Sequence, residues 1–514
     1  YTDKQVKKYI RKKSAALQKW MQKHSSDESG YESALERQAR YLMAKQAKKK
    51  TRVNSIEGIK RLNDYELRIY TTGYDSRFEE KLQIPICPLH YYGDTTKYSY
   101  NANKFGFKRG DLSAIRANKS SPVGAGAYRF VKYDSGIAYF MANELYYQGC
   151  PKITYVQLKD LTKLFKDEDL TGAKLAEEMK GQTVDVASLA LTQSDLEAIG
   201  EINGNGKMSG NEINTCQSAN ASYAYWGLNP YRVCINNEPF SEQSAALRHA
   251  IAMVVSACRG VQMETEGAKL TSVNAQAAKD SWLSPEQPNE DKLCYAETPD
   301  GKEQIYKTDD AVDQKREEAQ QTALKWLEKA GYTVEDGKVT AAPAGAKTLF
   351  SMELAGGTDT VGYQLATAVA SDLQGIGITI QIHTTTVDKL NKKVANLRRG
   401  NVFAKKSSIA LWYAEEEMSS NPDLAERFAF LENAELMKAI NKSDQTINKE
   451  KQKKWTQKAF DEIYAMIVEV PVHQKSTTML YSSSRIRSKS MTKNTTMFYS
   501  WMREIQNIDM KAEN

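Results

Sequence analysis

The sequence predicts an α/β protein built from more than one lobe. The chain has 514 residues, which is more than a single hydrophobic core normally accommodates. Apolar residues make up 41% and charged residues 26% of it, as in globular proteins. Downstream, Thr348–Glu353 and Ile378–His383 are typical of strands and enclose a helix-like segment, Gly362–Gln374, with Gly377 at the second joint. This βαβ order predicts a parallel or mixed sheet covered by helices.

Other segments also show the residue patterns of helices and strands. Residues 1–52 are rich in Lys, Ala, Gln, Glu and Leu and are predicted to be helical. Gly126–Tyr133 and Ile137–Ala142 are predicted to form a hairpin that turns at Asp134-Ser135-Gly136. Further elements are predicted as a strand pair at 55–60 and 65–70, a short helix at 78–82, a strand at 153–158, and helices at 243–255 and 315–329.

The positive charge is concentrated at the start of the chain. The net charge is +7, but residues 1–60 hold 16 Lys and Arg against 6 Asp and Glu, a local +10 that leaves −3 for the rest. Such a basic segment suggests nucleic acid or anionic lipid. We favour a solvated helical face and expect no nucleic-acid partner, because the aromatic residues of the segment mix with Leu and Ala at helical spacing. These residues are Tyr9, Trp20, Tyr31 and Tyr41.

Metal and membrane signals are weak. The six cysteines have no CxxC spacing and the five histidines do not cluster beside them, which argues against zinc. Their even number permits disulfides without requiring them. No apolar run of about 18 residues is present. The segment Tyr1–Lys4 has no apolar core of a signal peptide, so we expect any export signal to have been removed or to lie upstream.

One loop has the spacing of a calcium-binding loop. The sequence from Glu201 to Glu212 offers oxygen donors that include Asn203 and Asn205, with glycine at the sixth position. The first donor is Glu instead of Asp, and the segment after Glu212 has the pattern of a strand. A Gly/Asn-rich turn is therefore favoured over a metal site.

Motifs of enzymes are not found. Gly124-Ala125-Gly126 precedes a strand, whereas a phosphate-binding glycine loop opens a helix. The sequence contains no Gly-x-Ser-x-Gly, His-Glu-x-x-His or P-loop motif, and its five histidines are scattered. We therefore predict a protein that is not an enzyme and that needs no cofactor.

Several segments, in this order, resemble one protein family. Ser121–Phe130 reads SPVGAGAYRF, similar to Pro-x-Gly-Thr-Gly-Pro-Tyr-x-Phe, and Ala142–Ile153 is similar to Ala-Asn-x-x-Tyr-x-x-Gly-x-Pro-Lys. Further matching segments are Pro85–Tyr92, Leu247–Ala252, Leu324–Tyr332, Leu373–Ile378 and Phe498–Ile505. Together they resemble the family 5 extracellular solute-binding proteins, the peptide- and nickel-binding group, and within it clostridial-type oligopeptide-binding lipoproteins of Gram-positive bacteria. The resemblance covers most of residues 53–514.

The resemblance implies a periplasmic-binding-protein-like fold of type II, cluster C. In that fold two lobes with mixed sheets are joined at a hinge, here with a helical N-terminal region. The resemblance implies four regions along the chain. They are a helical region with a remnant of the small subdomain of lobe I at 1–118, the core of lobe I at 119–228, lobe II at 229–480 and a return segment to lobe I at 481–514. The chain departs from the family at Ala125 and Ala127, where Thr and Pro are usual, and the strand-rich stretch with which the family begins is expected to be missing.

The implied function is capture of oligopeptides or peptide-like solutes between the lobes for import by an ABC transporter. The implied partners are the peptide and the permease subunits, and the implied place is the extracellular face of the cytoplasmic membrane or the periplasm. A monomer is expected, held at the membrane by a lipid anchor that this sequence does not contain. Two alternatives stay open: a divergent sensor or structural paralogue that keeps the fold without transport, and, lowest in rank, a hydrolase.

The resemblance also indicates site residues. Peptide-binding relatives carry Trp-x-Ala-Asp, whose carboxylate meets the ammonium group of the ligand, where this chain has Trp412-Tyr413-Ala414-Glu415. Trp412 and Tyr413 are expected to form aromatic walls of the ligand cleft, and Glu415 to pair with the ammonium group. A solvated acidic loop at Glu415 is the alternative. Further candidates are the aromatic residues Tyr223, Tyr225 and Trp226, near the expected crossing into the second lobe. The alternative for these three is packing in the core. A last motif, formed by Gly124, Gly126 and Tyr128, is expected to be structural.

Overall fold

The structure is a computed structural model of the chain. It describes residues 3–13, 15–17, 39, 42–43, 58–71, 73–102, 104–107, 111, 113–118, 122–164, 170–220, 222–266, 270–277, 281–284, 295–307, 310–358, 360–417, 423–493, 495–496 and 499–512.

Helices and strands alternate along most of these residues. The helices are α1 (Asp3–Lys12), α2 (Phe78–Lys81), α3 (Leu89–Tyr92), α4 (Ser113–Ala117), α5 (Leu161–Leu164), α6 (Gly172–Lys180), α7 (Gln193–Ile202), α8 (Glu242–Glu266), α9 (Val312–Lys329), α10 (Val361–Gly375), α11 (Val387–Arg398), α12 (Asn401–Lys406), α13 (Leu424–Phe428), α14 (Ala434–Asp444) and α15 (Lys449–Met466). The strands are β1 (Ile59–Arg61), β2 (Leu67–Ile69), β3 (Tyr98–Ser99), β4 (Lys104–Phe105), β5 (Tyr128–Asp134), β6 (Ile137–Ala142), β7 (Tyr155–Lys159), β8 (Val186–Leu189), β9 (Ile213–Ala219), β10 (Ser222–Leu228), β11 (Leu270–Ser272), β12 (Thr333–Glu335), β13 (Lys338–Ala341), β14 (Leu349–Ala355), β15 (Thr379–Thr385), β16 (Leu411–Glu417) and β17 (Glu469–Ser482).

The chain divides into two compact units. Unit 1 comprises residues 1–82, 223–262 and 272–473, and unit 2 comprises residues 83–222, 263–271 and 474–514. Each unit thus collects segments that are far apart in the sequence. The lobe boundaries implied by the family resemblance remain a prediction.

A mixed sheet forms the centre of unit 1. Its strand order is β17–β10–β16–β14–β15, where β17 contributes the residues before 474. β14 is parallel to both β15 and β16, whereas β10 is antiparallel to β17. Helix α10 connects β14 to β15, as the βαβ order of the sequence predicts. The α/β fold class with mixed sheets is confirmed.

Alternating side chains of this sheet enter two different cores. Leu411 and Tyr413 point into a core shared with α8, α9 and α10, while Trp412 and Ala414 enter a second core shared with α11, α14 and α15. This is the period of two expected of a strand whose faces are both covered. The central strand β16 is therefore fixed on both sides.

Unit 2 contains smaller sheets. β8 and β9 pair antiparallel with the part of β17 that follows residue 474, and helices α6 and α7 cover an apolar cluster beside them. A separate antiparallel sheet consists of β5, β6 and β7. Its first turn has positive φ at Ser135 (50°) and Gly136 (89°), a conformation that glycine adopts without steric cost.

Most element predictions are confirmed within a few residues. The hairpin at 128–142, the antiparallel pair β1–β2, the βαβ unit and helix α9 lie where the sequence predicts them. Helix α8 extends eleven residues beyond the predicted end at 255, and Ala257 and Cys258 in this extension are still buried. One helical turn, α3, follows Pro88, which is its N-cap. Of the helix predicted over 1–52, the parts outside 3–13, 15–17, 39 and 42–43 lie outside the described residues.

The described residues also bear on membrane spans and on the cysteines. None of the described helices has the length and apolar character needed to cross a membrane. The described cysteines are free thiols at Cys87, Cys150, Cys216, Cys234 and Cys258, and Cys294 lies outside the described residues.

A buried histidine links helix α8 to its neighbours. The imidazole of His249 stacks on Trp326 with ring centroids 3.8 Å apart, and its Nε2 lies 3.2 Å from the carbonyl oxygen of Tyr295. Burial lowers the pKa of His249 to about 3, so the ring stays neutral in the folded protein where an unfolded histidine would be charged.

We therefore expect a loss of stability on mild acidification that depends on His249. Between pH 6.5 and pH 3 the unfolded chain binds a proton that the folded chain does not, so the free energy of unfolding falls as the pH falls. The linkage relation gives about 2 kcal/mol between pH 8 and pH 5 for this one group. Urea denaturation at both pH values should show that loss in the wild type and a loss smaller by that amount in His249→Phe. Equal pH dependence in both proteins would contradict the assignment.

A second prediction concerns Gly227 of β10. A Cβ atom at this position would lie 2.1 Å from the indole of Trp412, far inside van der Waals contact. We expect Gly227→Ala to reduce the free energy of unfolding by about 1–3 kcal/mol through overpacking. Gly73→Ala is the control, because its Cβ would meet nothing within 4 Å and should change stability by less than about 0.5 kcal/mol. Chemical denaturation compares the two, and equal midpoints would refute the close contact.

Candidate functional site

The predicted site residues of unit 1 lie on two neighbouring strands. β10 carries Tyr223, Tyr225 and Trp226, and β16 carries Trp412, Tyr413 and Glu415. The two strands are adjacent in the sheet. The structure therefore brings the six residues into one region of unit 1, distributed over both faces of the sheet.

Trp412 is buried against the neighbouring strand. Only 2% of its surface is exposed, and its indole Nε1 donates a hydrogen bond of 3.1 Å to the hydroxyl of Tyr225. The two rings meet edge to face with centroids 6.3 Å apart, a favourable geometry for aromatic pairs. Gly227 leaves room for the indole. Trp412 is thus anchored by packing and by a satisfied polar tip.

Charged side chains surround the tyrosines of β10. The Tyr225 hydroxyl also accepts a 2.8 Å hydrogen bond from Arg398 Nη2, and the Tyr223 hydroxyl donates one of 2.7 Å to Glu469 Oε1. The guanidinium of Arg427 forms an ion pair with Glu469 and lies 5.2 Å and 5.0 Å from the ring centroids of Tyr223 and Tyr225. Cation–π attraction is strong in such a desolvated setting.

The other face of the sheet holds Tyr413 and Trp226. Tyr413 packs so closely on Gly362 that an added Cβ there would lie 2.5 Å from the ring, and its hydroxyl is 3.4 Å from Nε2 of His473. Burial, together with the nearby charge of Glu415, raises the pKa of Tyr413 well above its ordinary value. Trp226 is fully buried, and its indole N–H has no hydrogen-bond partner among the described residues.

Glu415 differs from these aromatic residues because it is exposed. It follows Tyr413 and Ala414 near the end of β16. The side chains before it on the strand are buried on both faces, so they hold the backbone that carries Glu415. The exposed Glu415 side chain therefore stands on a strand whose preceding residues are fixed by packing.

The predicted structural motif in unit 2 joins two segments of the chain. The Tyr128 hydroxyl donates a 3.0 Å hydrogen bond to the carbonyl of Ile153, and Asn143 Nδ2 donates one of 2.9 Å to the carbonyl of Gly126. Burial, with a smaller effect of Cys150, raises the pKa of Tyr128 to about 12. A Cβ at Gly124 would meet no atom within 4 Å. These bonds connect the two sequence signatures at 121–130 and 142–153.

The calcium-like loop is closed by its own hydrogen bonds. Asn203 Oδ1 accepts from the backbone N–H of Ile213 at 2.9 Å, and Asn205 Oδ1 accepts from that of Lys207 at 2.8 Å. Glu201 lies in α7, and Glu212 immediately precedes β9. Within the described ranges no group of three or more His, Cys, Asp or Glu side chains is arranged to hold a metal ion.

Three charged members of the cluster, Arg427, Glu469 and Arg398, are not among the site residues predicted from the sequence. Arg427 and Glu469 are only 4% and 2% exposed as side chains, although such residues are rarely buried unless paired. One signal was available. Arg427 occupies the apolar stripe formed by Leu424, Phe428 and Leu431, and a lone arginine in a stripe of that period indicates a buried ion pair.

Comparisons with known proteins identify the family. A model of the bacterial extracellular solute-binding proteins, family 5 Middle, matches residues 14–416, more than three quarters of the chain. A search of curated proteins found no match. The matching family consists of binding proteins and not of enzymes.

Solved structures share the fold at low sequence identity. The oligopeptide-binding protein AppA from Bacillus subtilis is 14% identical, with a TM-score of 0.54 over 89% of this chain and 78% of that one. The substrate-binding protein CtaP from Listeria monocytogenes is 13% identical, with a TM-score of 0.57 over 88% of this chain and 77% of that one. NikA from Brucella suis is 13% identical, with a TM-score of 0.57 over 88% of this chain and 78% of that one. These structures show the fold, and the family model, which covers most of the chain, shows the family: the chain belongs to the family 5 bacterial extracellular solute-binding proteins.

Proposed function

We propose that the protein captures oligopeptides, or peptide-like solutes, for import by an ABC transporter. Membership of the family supports solute binding. Similar structures include AppA with a nonapeptide and DppA from Helicobacter pylori with the peptide STSA. Others hold Ni(L-His) or Fe(III)-EDTA. Among these classes of ligand, we propose peptides for this chain.

The exposed carboxylate of Glu415 carries the peptide assignment. A peptide presents a positively charged amino terminus, and its enclosure without a counter-charge would cost several kcal/mol. Glu415 stands on a strand anchored by Trp412 and Tyr413, so its position is preorganised. In this proposal Glu415 pairs with the ammonium group of the ligand.

The aromatic residues act in the proposal mainly by fixing the strands. Tyr223, Tyr225, Trp226, Trp412 and Tyr413 are all less than 10% exposed in unit 1. They form the support behind the ligand-binding strand, and side chains at its exposed end make the polar contacts. In the proposal an extended peptide lies near this end, and contacts to its backbone would tolerate many side chains.

We also propose where the protein works. The family is extracellular by its description, and we place this member at the outer face of the cytoplasmic membrane, as a monomeric lipoprotein of a Gram-positive cell that hands its ligand to permease subunits. Metabolic labelling with a radioactive fatty acid in the native host tests the anchor. Absence of label would remove it.

Native mass spectrometry of the purified protein tests the function directly. Release of bound peptides on denaturation, with thermal stabilisation that grows with the concentration of added peptide, is the expected result, because a ligand that binds only the folded state stabilises it by mass action. Release of a metal chelate would redirect the assignment to that class. No ligand, and no stabilisation by peptides or chelates, would favour the paralogue that keeps the fold without transport.

For the site itself, we expect Glu415→Gln to weaken the binding of free-amine peptides about tenfold or more, since hydrogen bonds to charged groups contribute about 1.5–3 kcal/mol. The same peptides with an acetylated amino terminus should be affected much less. Isothermal titration calorimetry measures both. Glu335→Gln is the matched control, because Glu335 is also an exposed glutamate at the end of a strand of unit 1. Equal losses for both peptide forms would remove Glu415 from the ammonium site without affecting the transport proposal.

A further inference from the structure

One face of helix α1 is covered by positive charge. Lys7, Lys8, Arg11 and Lys12 are all exposed. At about 100° per residue they occupy roughly 140° of the helix circumference. The spacing i, i+1, i+4, i+5 places them on two adjacent turns, so the four charges form one compact patch.

The opposite side of the helix is fixed by packing. Val6 is fully buried, together with Leu17 and Ala39, and Tyr9 and Ile10 pack against them. This apolar contact determines which face of α1 is covered, so the four cations point away from it. Because the apolar residues are already used, the helix offers charge and no apolar surface for insertion.

The four cations are not neutralised nearby. Asp3 is the single acidic residue in the sequence of α1. In the described ranges none of the four forms an ion pair, whereas many lysines and arginines elsewhere in unit 1 do. A patch of like charges with no ion-pair partner among the described residues repels itself and attracts polyanions.

We propose that this face of α1 binds the surface of an anionic phospholipid bilayer. The charge complementarity favours a dense array of phosphate groups, and an extracellular family member meets such an array on the membrane itself. Nucleic acid is disfavoured, because binding of single strands uses exposed aromatic rings and Tyr9 packs in the apolar cluster. The contact is peripheral and electrostatic, and it orients unit 1 independently of solute binding.

Vesicle co-sedimentation of the full chain tests the proposal. Vesicles of phosphatidylcholine with 30% phosphatidylglycerol (roughly the density of an anionic leaflet) should bind the protein at low salt, and neutral phosphatidylcholine vesicles should not. Each cation contributes about fivefold to partitioning, so replacing Lys7, Lys8, Arg11 and Lys12 by Gln should lower binding to that of neutral vesicles. Salt at 0.5 M should abolish wild-type binding, because it shortens the Debye length to a few ångströms.

A second variant separates the patch from net charge. Replacing Lys389, Lys392, Lys451 and Lys454 by Gln removes the same charge from exposed positions of unit 1 and should leave vesicle binding within about twofold of wild type. Equal loss in the two variants would overturn the proposal, as would undiminished binding by the α1 variant. Stronger retention on single-stranded DNA than on vesicles would also overturn it, in favour of nucleic acid, and full competition by millimolar inorganic phosphate would reduce it to free-anion binding. Circular dichroism confirms that both variants are folded.

Discussion

The ion pair between Arg427 and Glu469 determines how the central part of unit 1 assembles. Both side chains are almost completely buried, and a buried charge without its partner typically costs 3–5 kcal/mol. Glu469 begins β17, whereas Arg427 lies on α13. The helix and the strand must therefore come together for either charge to be tolerated. Tyr223 completes the arrangement by donating its hydroxyl to the same carboxylate, which includes β10 in the requirement.

The aromatic residues extend this constraint to the proposed ligand-binding strand. Arg427 lies over the rings of Tyr223 and Tyr225, Tyr225 accepts the indole N–H of Trp412, and Trp412 belongs to β16. Removing a link in this series leaves a buried polar atom without a partner, which is more costly than the bond itself is stabilising. The exposed position of Glu415 therefore results from interactions that are themselves buried. A single carboxylate can be presented accurately because its strand has little freedom.

Much of the fold could be predicted from local sequence patterns, whereas contacts between residues far apart in the sequence could not. The turn at 134–136, the βαβ unit and helix α9 depend on residues close in sequence, and the sequence predicts them. The Arg427–Glu469 pair joins residues 42 positions apart, and the approach of Trp412 to Gly227 joins residues still more distant. No periodicity encodes such contacts. The order of the family signatures located the aromatic residues, but only the packing shows that Trp412 and Tyr225 are buried while Glu415 is exposed.

Burial also explains how relatives at 12–15% identity can share this fold and hold different solutes. The ligands in the similar structures range from a nonapeptide to Ni(L-His) and Fe(III)-EDTA. A buried network such as Arg427, Glu469 and the tyrosines constrains the fold, because a change in one member leaves another unsatisfied. An exposed residue near the end of an anchored strand is less constrained by the packing of the core. If the proposed role of Glu415 is correct, a substitution there changes the charge offered to a solute while the sheet behind it stays intact.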